Sequence, residues 1–265
     1  MKRIFFFLLI AMCLGTASAQ SYSDAFDEAF SRDDVAAQRE ALKMWQQEAP
    51  NDVNLFIARY NFYANRAISS DEAGQTIETN QILADSALMA IEEGITLFPD
   101  RLDLRFGRIY FLGQMQMWDA FVGEIERTLN YSSQIGHKWV FPNVPEDMME
   151  GLLVEGMNDY MEEMFANIDD SVRFTKSDSV MARRIQRVAK RTVQMFPGDF
   201  SSTFMLALSH KLLNENDKAY KYLMRAEGLN STSVPLLRAL VNVCRSLGKT
   251  AQAKEYQQRL SQLPK

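Results

Sequence analysis

The amino-acid sequence predicts an all-α fold, an α-solenoid of about five helix-turn-helix pairs that follow N-terminal helices. Three observations support this prediction. Apolar residues recur at the spacing of one helix face, as in Leu153, Met157 and Met161. Polar breaks such as "NENDK" and "LGKT" separate the apolar stripes. In the C-terminal half, these stripes repeat every 34 residues, which is typical of stacked repeats.

The chain begins with a segment that is typical of secretory signal peptides. Two basic residues precede an apolar run, residues 4–14, that is too short to span a bilayer. Residues 17–19 then give the small-x-small pattern of a cleavage site. We therefore predict that residues 1–19 are a signal peptide and that the protein is exported. The periplasm is the favoured location, with secretion, or a lipid anchor on Cys13, as alternatives.

Charge and cysteine content narrow the classes of function. Removal of the signal peptide also removes two basic residues and takes the formal net charge from −5 to −7, which disfavours nucleic acid as a partner. Cys244 is then the only cysteine, so an internal disulfide is excluded. No second apolar run approaches membrane-spanning length, and we predict no transmembrane segment in the mature protein.

The repeat register is clearest over residues 182–264. Leu206 lies 34 residues before Leu240, and Ala219 lies 34 residues before Ala253. Small or apolar residues therefore recur at the positions where two helices must come close. A hairpin of this kind cannot bury its apolar face alone, so we expect neighbouring hairpins to stack on one another.

This pattern resembles the tetratricopeptide repeat (TPR), a 34-residue helix-turn-helix unit with a small residue early in its second helix and a proline near its end. Weaker units extend the resemblance towards the N-terminus, where Pro50 and Pro99 take the closing position. The chain thus resembles an exported bacterial TPR-containing protein. We predict N-terminal repeats over residues 20–130 and C-terminal repeats over residues 145–265, in one continuous domain over residues 20–265.

Two segments depart from the repeat. Residues 67–81 form a longer link than a repeat needs, which predicts an expanded unit. Residues 131–144 lose the helical period and contain a glycine and a proline. The side chains of His137, Trp139 and Phe141 in this loop either fold back as a structural plug or form a docking surface, because aromatic anchors dominate interface energetics. Both interpretations are open.

The two helices after this loop carry opposite charges. The first bears Glu155, Asp159 and Glu162, and the second bears Arg183 and Arg187 among other basic residues. We expect the two helices to neutralise each other as neighbours. A site on the basic helix for phosphate, an acidic glycan or a lipid head group is the alternative.

The sequence indicates no catalytic site. His137 and His210 are the only histidines, and each occurs singly. No Cys/His/Asp cluster has the spacing of metal ligands, and no glycine-rich phosphate loop or G-x-S-x-G turn is present. We therefore predict no enzymatic activity, no cofactor and no metal.

The resemblance to TPR-containing proteins implies a role in protein binding. In such proteins, the first helices of the repeats line a groove that holds peptides or partner domains. Arg238 and Asn242 resemble half of the clamp that some of these repeats use for the terminal carboxylate of a peptide. In the register given above, the groove positions include Asn61, Tyr110, Lys211, Arg238, Asn242 and Arg245.

The sequence therefore predicts a non-enzymatic scaffold or adaptor that binds a protein or peptide partner in the bacterial cell envelope. A fixed subunit of an envelope assembly is the first alternative, and an envelope enzyme is the second. An adaptor should have a groove lined with polar and aromatic side chains. A fixed subunit should instead have a large exposed apolar patch.

Overall fold

The computed structural model describes residues 17–70, 76–168 and 175–263. Cys13 and most of the predicted signal peptide lie outside these residues. The helices are α1 (Ala17–Ser31), α2 (Val35–Glu48), α3 (Val53–Ala67), α4 (Gln81–Leu97), α5 (Leu102–Gln114), α6 (Trp118–Gln134), α7 (Met149–Ala166), α8 (Lys176–Met195), α9 (Phe200–Leu212), α10 (Asn216–Leu229), α11 (Val234–Ser246) and α12 (Thr250–Gln262).

Helices α3 to α12 follow one another as five helix pairs, after the N-terminal helices α1 and α2. The predicted fold class is therefore confirmed in the described part of the chain: an all-α arrangement of helix-turn-helix repeats. Two short strands, β1 (Ile68–Ser70) and β2 (Thr76–Thr79), pair antiparallel within the long link between α3 and α4.

Polar side chains define where several helices begin. The carboxylate of Asp199 accepts a hydrogen bond from the Ser202 amide at 2.6 Å at the start of α9. Thr175 and Asp178 form a reciprocal capping box at the start of α8. Each cap satisfies an amide that has no partner inside the helix and contributes about 1 kcal/mol to stability.

The chain divides into two compact units. Unit 1 runs to residue 124 and includes residues 134–149, and unit 2 comprises residues 125–133 and 150–265. The division falls within α6. The single continuous domain over residues 20–265 stays a prediction.

The core of unit 1 contains a close approach between α3 and α4. A Cβ atom placed on Gly94 would lie 3.0 Å from the Cβ of Phe56, so glycine is the residue that fits this crossing. Trp45 of α2 is also fully buried in unit 1, and its indole nitrogen donates a hydrogen bond to the Asp52 carboxylate at 3.1 Å.

The core of unit 2 contains the repeat positions identified in the sequence. Leu206, Leu240 and Ala219 are fully buried, and Ala253 is 5% exposed. The stripe on α7 is also buried as predicted, with no exposed area on Leu153, Met157, Met161 or Met164. Methionine side chains are flexible and suit the filling of irregular gaps in a helical core.

Candidate partner-binding surfaces

The aromatic loop begins later than the sequence indicated. Helix α6 continues through Gln134, so residues 131–134 are helical. The chain then turns at Gly136 and His137, which have φ angles of 60° and 62°. Glycine adopts this left-handed conformation without steric cost, whereas His137 does so at some cost. The turn directs the following residues back towards α5.

Two backbone hydrogen bonds hold the returning loop against the start of α5. The Val140 amide donates to the Asp100 carbonyl at 2.9 Å, and the Leu102 amide donates to the Val140 carbonyl at 3.0 Å. These bonds form an isolated parallel bridge between Val140 and Arg101. The loop is therefore attached to the helix by its main chain as well as by its side chains.

The two aromatic side chains of the loop have different surroundings. Trp139 is only 3% exposed, and Arg105 of α5 lies over its ring, with 5.5 Å from the guanidinium carbon to the ring centre. Phe141 is half-buried and meets Phe106 edge-on at 6.4 Å between ring centres. His137 is half-buried. This placement favours the structural plug for Trp139, and the docking role of the loop stays a prediction.

Beneath the loop, unit 1 contains a network of arginines and carboxylates that was not identified from the sequence. Arg101 and Asp103 form two hydrogen bonds, at 2.8 and 2.6 Å, and both side chains are buried. Glu124 of α6, 1% exposed, lies 3.5 Å from Arg105 and 3.4 Å from Arg108. Removing one member of such a buried network would leave charge without compensation.

The predicted groove residues of unit 1 lie on two different helices. Asn61 is on α3 and Tyr110 is on α5, and both are half-buried. The phenol of Tyr60, the residue before Asn61, is buried and donates to the Gly107 carbonyl of α5 at 3.1 Å. Helices α3 and α5 are therefore adjacent here, as first helices of consecutive repeats should be.

The other predicted groove residues lie in unit 2. Lys211 on α9 is half-buried, whereas Arg238, Asn242 and Arg245 on α11 are exposed. The three α11 residues are spaced by four and three positions, which places them on one face of the helix. Within the described chain, none of these four side chains takes part in an ion pair or a hydrogen bond.

Helix α9 continues this surface with apolar side chains. Phe204, Leu208 and Lys211 precede Arg238, Asn242 and Arg245 by 34 residues each, so they occupy the same repeat positions. Helices α9 and α11 are in contact, and Phe204 and Leu208 are only partly buried. We call these six residues the α9–α11 face.

A groove of about 610 Å³ lies between α7 and the segment that leads from the end of α8 into α9. Asn158 of α7 connects the two helices, because it donates to the Asp199 carboxylate at 3.2 Å and accepts from the Ser202 hydroxyl at 2.8 Å. We call this the α7 groove. Its lining is Glu150, Gly151, Val154, Glu155, Asn158, Asp159 and Glu162 of α7, residues 195–199, and Ser201.

The charges of α7 and α8 do not neutralise each other as expected from the sequence. Arg187 of α8 instead binds Glu126 of α6 through two hydrogen bonds, at 3.2 and 2.6 Å. Arg191 donates to the Asn130 side chain of α6 at 2.9 Å. For these residues the expectation was wrong, because Arg187 and Arg191 contact α6, whereas Glu155, Asp159 and Glu162 line the groove.

The α7 carboxylates are consequently without cationic partners in the described chain. Glu155, Asp159 and Glu162 occur in no ion pair of the described residues. Partial loss of hydration, with the added repulsion of Glu155 and Glu162, raises the pKa of the exposed Asp159 carboxyl above its ordinary value. This part of unit 2 therefore has an uncompensated negative potential.

His210, the second isolated histidine, is buried in unit 2. Its Nδ1 lies 2.6 Å from the Glu215 carboxylate and 3.0 Å from the Gln186 amide, and its ring stacks on Tyr222 at 5.4 Å. The hydrogen bond with His210 lowers the pKa of the Glu215 carboxyl. These contacts describe a histidine that is fixed by packing between helices.

Two other kinds of site are absent from the described residues. No group of three or more histidine, cysteine or acidic side chains is arranged to hold a metal ion in that part of the chain. Among the helices described, none combines the length and apolar character needed to cross a bilayer.

Several solved structures are similar to this chain at low sequence identity. PilW, a type IV pilus biogenesis factor, is 12% identical, with 93% of each chain covered and a TM-score of 0.43. YrrB, a TPR protein with an unusual peptide-binding site, is 10% identical over 83% of this chain and 90% of its own, with a TM-score of 0.44. TTC0263, a TPR protein of Thermus thermophilus, is 16% identical over 70% of this chain and 86% of its own, with a TM-score of 0.40. No family model and no curated protein sequence matches the chain.

Proposed function

We propose that this protein is a non-enzymatic scaffold or adaptor that is exported to the bacterial cell envelope and binds a protein or peptide partner. The signal-peptide pattern of residues 1–19 supports export. The helix-turn-helix repeats support a role in binding, since stacked repeats create extended surfaces on their first helices.

The observation that carries the proposal is the composition of the α9–α11 face. Partly exposed Phe204 and Leu208 lie beside exposed Arg238, Asn242 and Arg245, whose side-chain polar groups have no intramolecular partner in the described chain. Apolar anchors next to polar groups that can still form hydrogen bonds are characteristic of binding sites. Phe204 and Leu208 pack against the core of unit 2, and their exposed parts add apolar area to this otherwise polar face.

Site-specific photo-cross-linking in the native envelope tests the proposal. A photoreactive residue at Asn242 should capture a product of discrete mass, whereas one at Gln258, exposed on α12, should not. The captured protein, once purified, should bind Arg238→Glu at least about tenfold more weakly than wild type, with an unchanged melting temperature. Equal products at both positions, or none at position 242, would contradict the proposal.

Export is tested separately from binding. The intact mass of the protein from its native host should correspond to a chain that begins at Gln20. A product that begins at Cys13 and carries a lipid would instead establish the lipid-anchored alternative. A chain that retains residues 1–19 would contradict export through a cleaved signal peptide.

The exposed side of α4 supports a second candidate, a fixed subunit of an envelope assembly. Ile82, Met89 and Leu97 are 78%, 64% and 51% exposed. Met89 and Leu97 border a groove of about 580 Å³ that Phe56 also lines. Large apolar side chains grouped in this way indicate a surface that another protein covers. A stable complex that survives purification and is lost in Met89→Lys would favour this candidate.

A further inference from the structure

We propose that the first helices of unit 2 select an extended peptide segment with basic residues at one end, an apolar residue in the middle and acidic residues at the other end. This inference rests on the proposed binding function and specifies the chemistry of the partner. It is carried by the change in charge along three consecutive first helices, α7, α9 and α11.

The α7 end is suited to basic side chains. Glu155 and Glu162 line the α7 groove with Asp159, and none of the three carboxylates has a cationic partner in the described chain. Val154 and Phe196 provide apolar contact in the same groove. Lysine and arginine suit such a site, because their apolar stems can lie on these side chains while their charged groups meet the carboxylates.

The α11 end is suited to acidic side chains. Arg238 and Arg245 lie on one exposed face of α11 with Asn242 between them, and Lys211 lies at the position of Arg245 in the preceding repeat. Arginine can bind a carboxylate through two parallel hydrogen bonds. A peptide carboxylate would therefore find charged donors here that the described chain does not itself satisfy.

Helix α9 supplies the apolar middle and fixes the spacing. Phe204 and Leu208 are partly exposed on α9, which is the first helix between α7 and α11 in the order of the repeats. Helix α9 adjoins α7 through the hydrogen bonds of Asn158, and it also contacts α11. Neighbouring helix axes lie about 8–10 Å apart, so the two ends are separated by roughly 20 Å. Extended chain covers about 3.3 Å per residue, and the two charged groups of the partner should thus be about six residues apart.

Synthetic peptides test this arrangement with the intact protein. The probe is a fluorescent peptide with two lysines, a central leucine and two aspartates at the inferred spacing. The control has the same composition with lysines and aspartates intermixed. In fluorescence polarisation, we expect the wild-type protein to bind the probe at least about tenfold more tightly than the control, and the difference to shrink at high salt.

Charge-reversal variants assign each end of the peptide to a helix. The double variant Glu155→Lys, Glu162→Lys should bind the probe about tenfold more weakly than wild type. It should instead bind a peptide in which the lysines of the probe are replaced by aspartates. The double variant Arg238→Glu, Arg245→Glu should no longer bind the probe and should instead bind a peptide with lysines at both ends. Lys254→Glu, Glu255→Lys on exposed α12 is the matched control and should bind like wild type.

Three results would overturn the inference. They are equal binding of probe and intermixed control, unchanged probe binding in both double variants, and no probe binding by wild type while the cross-linked partner still binds. In the third case the proposed function stands, and only the charge arrangement fails. If the partner is not captured at position 242 either, the proposed function fails as well.

Discussion

Arg105 and Trp139, which are 34 residues apart in the sequence, stack on each other, with the guanidinium carbon 5.5 Å from the centre of the indole ring. The same guanidinium group donates two hydrogen bonds of 3.2 Å to the Pro99 carbonyl and lies 3.5 Å from Glu124. The arginine thus joins the start of α5, helix α6 and the aromatic loop. The carboxylate and the aromatic ring offset the free-energy cost of removing the guanidinium group from water.

The first prediction concerns the stability supplied by the loop. Trp139→Ala should lower the free energy of unfolding by about 3 kcal/mol, because it removes a large buried side chain and uncovers Arg105. Phe141→Ala should cost less, since Phe141 is only half-buried. Urea unfolding of both variants measures the difference. A Trp139→Ala protein that unfolds like wild type but loses its partner would establish the loop as a docking surface.

The second prediction concerns the buried carboxylate of Glu124. Glu124→Gln keeps the side-chain shape but leaves Arg105 and Arg108 without this counter-charge, and should cost about 3 kcal/mol. Glu126→Gln, two residues along the same helix, breaks an exposed pair with Arg187 and should cost less than about 1 kcal/mol. Thermal or urea unfolding compares the two variants. Equal losses of unfolding free energy in the two variants would show that burial of the network adds nothing to stability.

The third prediction follows from the raised pKa of Asp159. A carboxyl group whose pKa is higher in the folded than in the unfolded protein costs stability as the pH rises through that range. Asp159→Asn should therefore raise the melting temperature at neutral pH. The gain in the free energy of unfolding should be less than about 1 kcal/mol, because the group is exposed. The gain should vanish in acid, where the aspartate itself is neutral. A gain that persisted in acid would exclude relief of charge repulsion as its cause.

The fourth prediction uses Cys244 as a reporter of unit 2. The side chain is fully buried in α11, and burial raises the pKa of its thiol. In protein produced from Gln20 onward, an aromatic disulfide reagent should therefore modify Cys244 only after local opening. The modification rate should increase steeply with urea. Rapid, stoichiometric reaction of the native protein would contradict the burial of this thiol.

The repeat could be predicted from the sequence because its signal is local and periodic. Ala219 and Ala253 are small buried residues, and Leu206 and Leu240 are buried in the same unit. Stacked repeats place equivalent positions in equivalent surroundings, so the same constraint recurs after 34 residues. Burial and fold class were predictable for this reason.

The charged contacts could not be predicted in the same way, because their partners are distant in the sequence. Arg101, Arg105 and Arg108 are spaced by four and three residues within an apolar segment, and this spacing was the one available signal of the network. Glu124, the carboxylate beside Arg105 and Arg108, lies on another helix, and no local pattern identifies it. Similarly, Arg187 binds α6 and not the helix that directly precedes it in the chain.

Recognising the α7 groove required both the sequence pattern and the contacts between helices that are distant in the sequence. Its acidic residues were visible in the sequence, but their lack of partners became apparent only when the basic side of α8 was found against α6. Asn158 and Asp199, which join α7 to α9, were not identified because a single asparagine and a helix cap are common in any helical protein.

The bridge between Val140 and Arg101 also offers a kinetic measurement. The Val140 amide lies in a loop, where amide hydrogens normally exchange rapidly with solvent, yet it donates a hydrogen bond to the Asp100 carbonyl. Exchange with deuterium at this amide requires the loop to leave α5. Its exchange rate in the unaltered protein therefore reports how often the loop detaches, and a bound partner that uses the loop would change that rate without any substitution.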